Sequence, residues 1–288
     1  MIVQLYRLGL CLIAPITIAA ALLFVVLGLI YALLLFPWIK RSWRDAAVMA
    51  WSRLLLLIVG VRLESRGLPP ALGDTTDEAP SGSLLLINHT SWLDVFSIAA
   101  MVPARFVAKA EIGRWPVFGW LAIVVGTLFV ERGRRHAVVR TNQAVSERLR
   151  SGQLIGIFPE GTTTDGSRLL PFHANLVQPA IDLGVSLRPV AVRFTQHGEF
   201  SRAAMFVDDM HLMQSLWRVV TAPHLAVELH WLPAIDPRLS NRHAVARAAR
   251  AAIARALDVP LEEHDAPHVS PAADGEDTEP EARSAPAS

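Results

Sequence analysis

From Leu8 to Trp38 the chain carries no charged residue, and a helix rising about 1.5 Å per residue over that run would exceed a hydrocarbon core of about 30 Å. A segment like this must be buried in protein or in lipid. The apolar stretch is about twice the length of a signal-peptide core, and no small-residue cleavage site follows it, so it is expected to stay with the chain. Lys40, Arg41 and Arg44 follow the run against Arg7 before it, a basic bias that places the rest of the chain on the cytoplasmic side of a cell's inner membrane. Pro15 and a second apolar segment, Leu54 to Val59, leave two topologies open: a spanning helix, or a helical hairpin dipping into one leaflet.

Composition narrows the partners. With 52% hydrophobic and 18% charged residues, the chain can bury one good core besides its membrane segment. A net charge of +1 argues against nucleic acid as a partner, because that affinity needs a dense basic surface. The single cysteine, Cys11, sits in the apolar run, so no internal disulfide, cysteine zinc site or thiol nucleophile is expected. The ten histidines show no H-E-x-x-H spacing, so no metal is expected either.

After the apolar run, Asp45 to Gly60 reads as a helix rich in leucine. Gly67 to Gly82, rich in Pro, Gly, Asp and Thr, reads as a loop between strands Val61 to Ser65 and Ser83 to Asn88. Further short apolar runs predict strands at Arg105 to Ala108, Thr127 to Val130, Leu154 to Phe158, Leu187 to Phe194 and Leu225 to Trp231. Helical patterns lie between and after them, including Ala137 to Arg150 and Asn241 to Leu257. That alternation is α/β. From about Leu261 the chain is Pro, Ala, Glu, Asp and Ser, and residues 261–288 are expected to be a disordered acidic tail.

Four short stretches carry candidate chemistry. In His89-Thr90-Ser91-Trp92-Leu93-Asp94, an imidazole and a carboxylate five residues apart follow an apolar strand. Residues five apart on a helix diverge by roughly 140°, so the pair meets only if His89 precedes the helix and Asp94 lies in its first turn. Ser91-x-x-Asp94 is also a capping-box pattern, which alone accounts for the acid. Phe158-Pro159-Glu160-Gly161-Thr162 runs a strand into a turn bearing one acid. Gly126-Thr127-Leu128-Phe129-Val130-Glu131-Arg132 ends a strand on an arginine whose planar fork suits a phosphate or plain solvent. Arg188-Pro189-Val190-Ala191-Val192 reads as buried strand.

In order and spacing these four blocks, with Lys109-Ala110-Glu111 and Trp115-Pro116-x-x-Gly119 between them, resemble the glycerolipid acyltransferases that include 1-acyl-glycerol-3-phosphate acyltransferases. The resemblance covers roughly Trp51 to Trp231. It implies a single α/β acyltransferase domain, residues 45–260, with a mixed sheet flanked by helices and preceded by an N-terminal membrane segment, residues 1–44. It also implies acyl transfer from acyl-CoA or acyl carrier protein to the free hydroxyl of a lysophospholipid, typically lysophosphatidic acid, with no cofactor beyond that co-substrate. His89 would be general base and Asp94 its orienter, and the acceptor oxygen would attack the thioester directly. No G-x-S-x-G elbow offers a serine nucleophile. By the same resemblance Arg132 would bind the acceptor phosphate, and Glu160, Gly161 and Thr162 would form the acceptor-binding turn. The Gly161 and Thr162 amides are candidates to stabilise negative oxygen, and Lys109 is a candidate anion contact.

The chain departs from the family pattern twice. Glu131 stands where many relatives have Asp, which leaves Arg132 in place. Phe172-His173-Ala174-Asn175 stands where many carry Phe-Lys-x-Gly, and this removes a cation near the acceptor. His173 as a second base is the alternative use of that position. The acceptor could therefore be another lysolipid, such as lyso-ornithine lipid. A catalytically idle lipid-binding protein is the reading from another class, and retention of His89, Asp94 and Glu160 counts against it.

Overall fold

The computed structural model describes residues 2–70, 82–130, 135–207, 209–237 and 241–262. Its centre is β2 (Ser83–Ile87), in which every residue after Ser83 is fully buried. Side chains alternate across a strand, so Leu85 and Ile87 enter one core layer while Leu84 and Leu86 enter the other. A strand apolar on both faces belongs in the middle of a sheet covered on both sides. The sheet contains β1 (Arg62–Arg66), β3 (Arg105–Lys109), β4 (Leu128–Val130), β5 (Leu154–Ile157), β6 (Leu187–Gln196) and β8 (Leu225–Trp231), in the order β1-β8-β6-β2-β5-β3-β4. A short strand, β7 (Glu199–Phe200), pairs with β6.

The sheet is mixed, as the resemblance implies. β2 runs parallel to β5 and β6, which sets the C-terminal ends of β2 and β5 side by side. β6 outruns β2 and pairs antiparallel with β8 from Val190↔Trp231 to Gln196↔Leu225. Asn88 continues the β2 edge by side chain: its Nδ2 donates to Val192 O at 2.9 Å, and its Oδ1 accepts from Val192 N at 2.7 Å.

One face is covered by α1 (Ile2–Leu35), α2 (Arg41–Ile58), α3 (Leu93–Met101), α4 (Phe118–Val124) and α7 (Leu212–Val220). The other holds α5 (Arg135–Arg150), α6 (Gln178–Leu183) and α8 (Arg242–Leu257). Gly184 in the left-handed conformation ends α6, and the Asn241 side chain caps α8 by accepting from His243 N and Ala244 N.

Residues 9–35 of α1 are long and apolar enough to cross a membrane. Yet Ala14, Ile18, Ala21, Val25, Leu29 and Ala32, three or four residues apart, are buried against the domain, while Leu12, Ile16, Leu23, Leu27 and Leu34 are exposed. α2 returns beside α1: Phe24 stacks on Trp51 with centroids 5.4 Å apart, and Ala21 and Val25 share a cleft with Leu55 and Val59.

Most strand ends shift by one or two residues from the sequence reading, and larger differences fall at the limits of the domain. The helix expected from Asp45 starts at Arg41, because Lys40 is extended and Arg44 Nε caps Ile39 O at 2.9 Å, so the basic cluster begins the helix. The division expected at residue 44 therefore falls inside α2. Leu261 and Glu262, assigned to the tail, stay on the domain: Leu261 forms a β-bridge with Leu169, and Glu262 N donates to Leu169 O at 3.0 Å. The rest of the expected tail and most of the loop before β2 lie outside the described residues.

Gly156 on β5 is the tightest place behind the β2 and β5 ends. A Cβ there would lie 2.8 Å from the Phe106 ring, which packs on Phe158. Gly156→Ala is expected to lower stability by about 1–3 kcal/mol through overpacking, measured by denaturant unfolding; an unchanged midpoint would show that the ring yields freely.

Candidate active site

Where β2 ends, Asn88 hooks to β6 and the chain turns at once into α3. His89 is left between strand and helix with Asp94 in the first helical turn, the arrangement that the five-residue spacing requires. His89 Nδ1 lies 2.9 Å from Asp94 Oδ2. The same oxygen accepts from Thr90 N at 2.8 Å and Ser91 N at 2.9 Å, and Thr90 Oγ1 approaches Oδ1 at 3.5 Å. Asp94 is fully buried, so its neighbours rather than water satisfy the carboxylate at the helix N-terminus. A carboxylate oxygen only accepts, hence Nδ1 carries the proton and Nε2 is left as the basic nitrogen. The imidazole keeps 20% exposure and stacks on Phe158 at 4.0 Å, which holds the ring plane without closing it off.

The capping box is realised in altered form. Asp94 reaches back to the Ser91 amide as the pattern requires, but Ser91 Oγ accepts from Leu93 N at 3.3 Å, and the residue at the cap position is Trp92. One acid thus caps the helix and orients the histidine.

Glu160 comes from the turn after β5, beside the end of β2. Its Oε1 accepts from His89 N at 2.8 Å and its Oε2 from Leu170 N at 3.0 Å, and it is 4% exposed. Burial pushes its carboxyl up to about 7, against the lowering pull of those two amides. The expected substrate-binding carboxylate is therefore turned inward as a strut under His89. Gly161, with φ +74, closes the turn by donating its amide to Phe158 O at 3.0 Å, so that amide is not directed at a substrate oxygen. Thr162 is exposed at the turn's outer edge, and Thr164 N closes the loop onto His89 O at 2.9 Å.

Lys109 is exposed at the C-terminal end of β3, two strands from β2, and extends into the 3-10 turn Ala110–Arg114. His173 is exposed, and its backbone amide donates to Pro159 O at 2.8 Å, which ties the 172–175 departure to the Glu160 turn. Arg132 and Glu131 lie outside the described residues. No group of three or more metal-binding side chains occurs among the described residues. Sequence reading missed Asn88, Thr90 and Phe158 as parts of the site. The contacts of Asn88 with Val192 and of Phe158 with the His89 ring appear only once β2, β5 and β6 lie together, whereas those of Thr90 with Asp94 are local to the strand–helix junction.

The geometry provides an oriented imidazole at a strand end. Trp92, three residues on, lines an apolar cleft with Ala21, Leu22, Val25, Leu55 and Leu216, and its Nε1 donates to Ser215 Oγ at 3.0 Å, pinning it to α7.

The acyltransferase family model matches residues 74–193, a span that includes His89, Asp94 and Glu160. A 1-acyl-sn-glycerol-3-phosphate acyltransferase of Neisseria gonorrhoeae is 34% identical over 221 residues, covering 75% of this chain and 84% of the relative. A lyso-ornithine lipid O-acyltransferase of Pseudomonas aeruginosa is 38% identical over 181 residues, covering 62% of this chain and 70% of the relative. The fold is similar to the crystal structure of the 1-acyl-sn-glycerophosphate acyltransferase PlsC of Thermotoga maritima, with a TM-score of 0.61 at 18% identity over 89% of this chain and 96% of that one. With a relative of this identity matched over most of its length, and with the site assembled from the same blocks, the chain belongs to the glycerolipid acyltransferase family.

Proposed function

We propose that the protein acylates the free hydroxyl of lysophosphatidic acid to give phosphatidic acid, with acyl-CoA or acyl carrier protein as donor and His89 as general base. The observation that carries this reading is the Asp94–His89 pair, which leaves Nε2 as the basic nitrogen of a partly exposed imidazole. Nε2 takes the acceptor hydroxyl proton as that oxygen attacks the thioester carbonyl. The C–S bond then breaks, and the imidazolium returns the proton to the departing thiolate. Asp94 holds the tautomer and offsets the positive charge while it exists. Arg132 is assigned to the acceptor phosphate by resemblance.

The substrates also suggest where the domain sits. A lysolipid lies in a bilayer, and the exposed apolar face of α1 suits the boundary between headgroups and acyl chains. Burial of Ala21 and Val25 at the middle of α1 against the domain favours a one-leaflet hairpin over a spanning helix, because a spanning helix is lipid-clad at its centre. Lys40, Arg41 and Arg44 beside α1 suit the anionic surface of a cytoplasmic leaflet, which supports a domain on the cytoplasmic side of the inner membrane.

A second acceptor has its own support: relatives named for lyso-ornithine lipid share 30–38% identity with the chain, and residues 172–175 lack the family's lysine. The reaction chemistry is unchanged in that reading, but no phosphate meets Arg132.

In membranes supplied with labelled acyl-CoA, His89→Ala is expected to lower acyl transfer by roughly 10²–10⁴-fold. Wild-type activity in that variant would eliminate the base. A panel of lysolipid acceptors, with Arg132→Ala alongside, separates the two acceptors. Lysophosphatidic acid should be preferred and its KM should rise in the variant; preference for lyso-ornithine lipid with unchanged kinetics would establish the second reading.

Glu160 gives a pH signature. Its folded pKa is raised from 4.5 to about 7, so its contribution to stability is complete below about pH 4.5 and is lost as pH rises toward 7, by on the order of 3 kcal/mol. Glu160→Gln lacks that titration, so its stability deficit relative to wild type should shrink from pH 4.5 to pH 7. Thermal midpoints measured across that range test this, and a constant gap would refute it.

A further inference from the structure

Helix α8 lies on the opposite face of the sheet from α3, yet the chain leaving it returns to the site. Asp258 adopts the left-handed conformation, and Val259 N donates to Ala254 O at 3.1 Å, turning the backbone toward the Glu160 loop. There Leu169 N donates to Pro260 O at 3.1 Å and Glu262 N donates to Leu169 O at 3.0 Å, a parallel bridge centred on Leu261. Arg250 on α8 locks it: Nη2 donates to Leu169 O at 2.5 Å and to Glu262 O at 2.6 Å, so one nitrogen joins both sides of the bridge. Arg168 Nε adds an ion pair to Glu262 at 3.3 Å.

The next residue after Leu169 is the one that holds Glu160. Leu170 N donates to Glu160 Oε2, and Glu160 Oε1 receives the His89 amide. Leu169 is 1% exposed and Glu160 4%, so this line of contacts runs inside the protein and offers no substrate surface. Burial pulls the Arg250 guanidinium below its ordinary pKa, while the charges of Glu160 and Glu262 oppose that pull, which places Arg250 in the electrostatic field of the strut.

We infer that residues 260–262 form a strap, with Arg250 its clamp, that positions the base: the strap fixes Leu169 and Leu170, these fix Glu160, and Glu160 fixes His89. Arg250 is a positioning residue that touches neither substrate. The inference rests on His89 being the base. Misplacing a catalytic group by about 1 Å costs roughly 10²-fold, so loosening the strap should appear in kcat and not in binding.

The full-length protein in membranes is assayed with palmitoyl-CoA and whichever lysolipid it turns over faster, lysophosphatidic acid or lyso-ornithine lipid. Arg250→Ala is expected to lower kcat by roughly tenfold or more with both KM values within about twofold, and Arg250→Lys, which keeps a cation able to reach both carbonyls, to recover most of the loss. Glu262→Pro deletes one bridge amide and leaves Arg250 in place, so it decides the question even where Arg250→Ala fails to fold. Its kcat should fall roughly fivefold below that of Glu262→Ala, in which the amide remains. Unchanged kcat in these variants, or a loss carried by KM, overturns the strap. His89→Ala run beside them separates the two ideas. If it is active, the base reading and the strap fall together; if it is inactive while the Arg250 and Glu262 variants keep full kcat, the strap alone falls.

Discussion

The structure around the site depends on one fully buried carboxylate. Taking a carboxylate out of water costs several kcal/mol unless donors replace the lost solvent. Asp94 Oδ2 has three nitrogen donors, two backbone amides and the His89 ring, all within 2.9 Å. That satisfaction is possible only if the strand stops at Ile87, residues 89–91 curl over the start of α3, and α3 points its N-terminus at the sheet edge. The requirement for a paired acid therefore fixes the backbone that presents His89. Asn88 holds the strand side of this geometry through Val192, and Glu160 holds the amide of His89 itself.

Two acids, two roles follow from where each finds its partners. Asp94 meets a histidine ring and, on the proposed function, takes part in the chemistry through it. Among the described residues Glu160 hydrogen-bonds two amides, His89 N and Leu170 N, and no cation, and burial dominates its titration. It works by position, like the glycine that follows it: Gly161 closes the turn that carries Glu160 beneath the histidine.

What the sequence made legible was local. β2, β5, β6 and β8 were readable because short apolar runs bounded by polar residues are strands, and Leu225–Trp231 was placed to the residue. His89 and Asp94 were readable because five residues separate them and the geometry of one strand–helix junction decides whether they meet. The inward turn of Glu160 was not readable: its partners are 71 and 10 residues away, and the turn Phe158-Pro159-Glu160-Gly161 looks the same whether its acid faces substrate or core. Nor was the anchoring of residues 261 and 262. A Pro- and Glu-rich composition predicts solvent, but two backbone hydrogen bonds to a buried leucine hold this piece of it.

The N-terminal run shows a different limit. Being apolar all round, α1 has no periodicity that could say which side meets protein, and composition alone gives the same answer for a lipid-clad span and a helix lying on a domain. Packing breaks that degeneracy. Small residues at Ala14, Ala21 and Ala32 line the buried stripe, and Gly28 leaves room for Trp51, since a Cβ there would fall 2.3 Å from the indole nitrogen. The helix that this close approach holds down also supplies Ala21, Leu22 and Val25 to the cleft whose wall includes Trp92, three residues from His89. On the proposed function, the element that meets the lipid thus packs against a residue only three positions along the chain from the one that takes the proton.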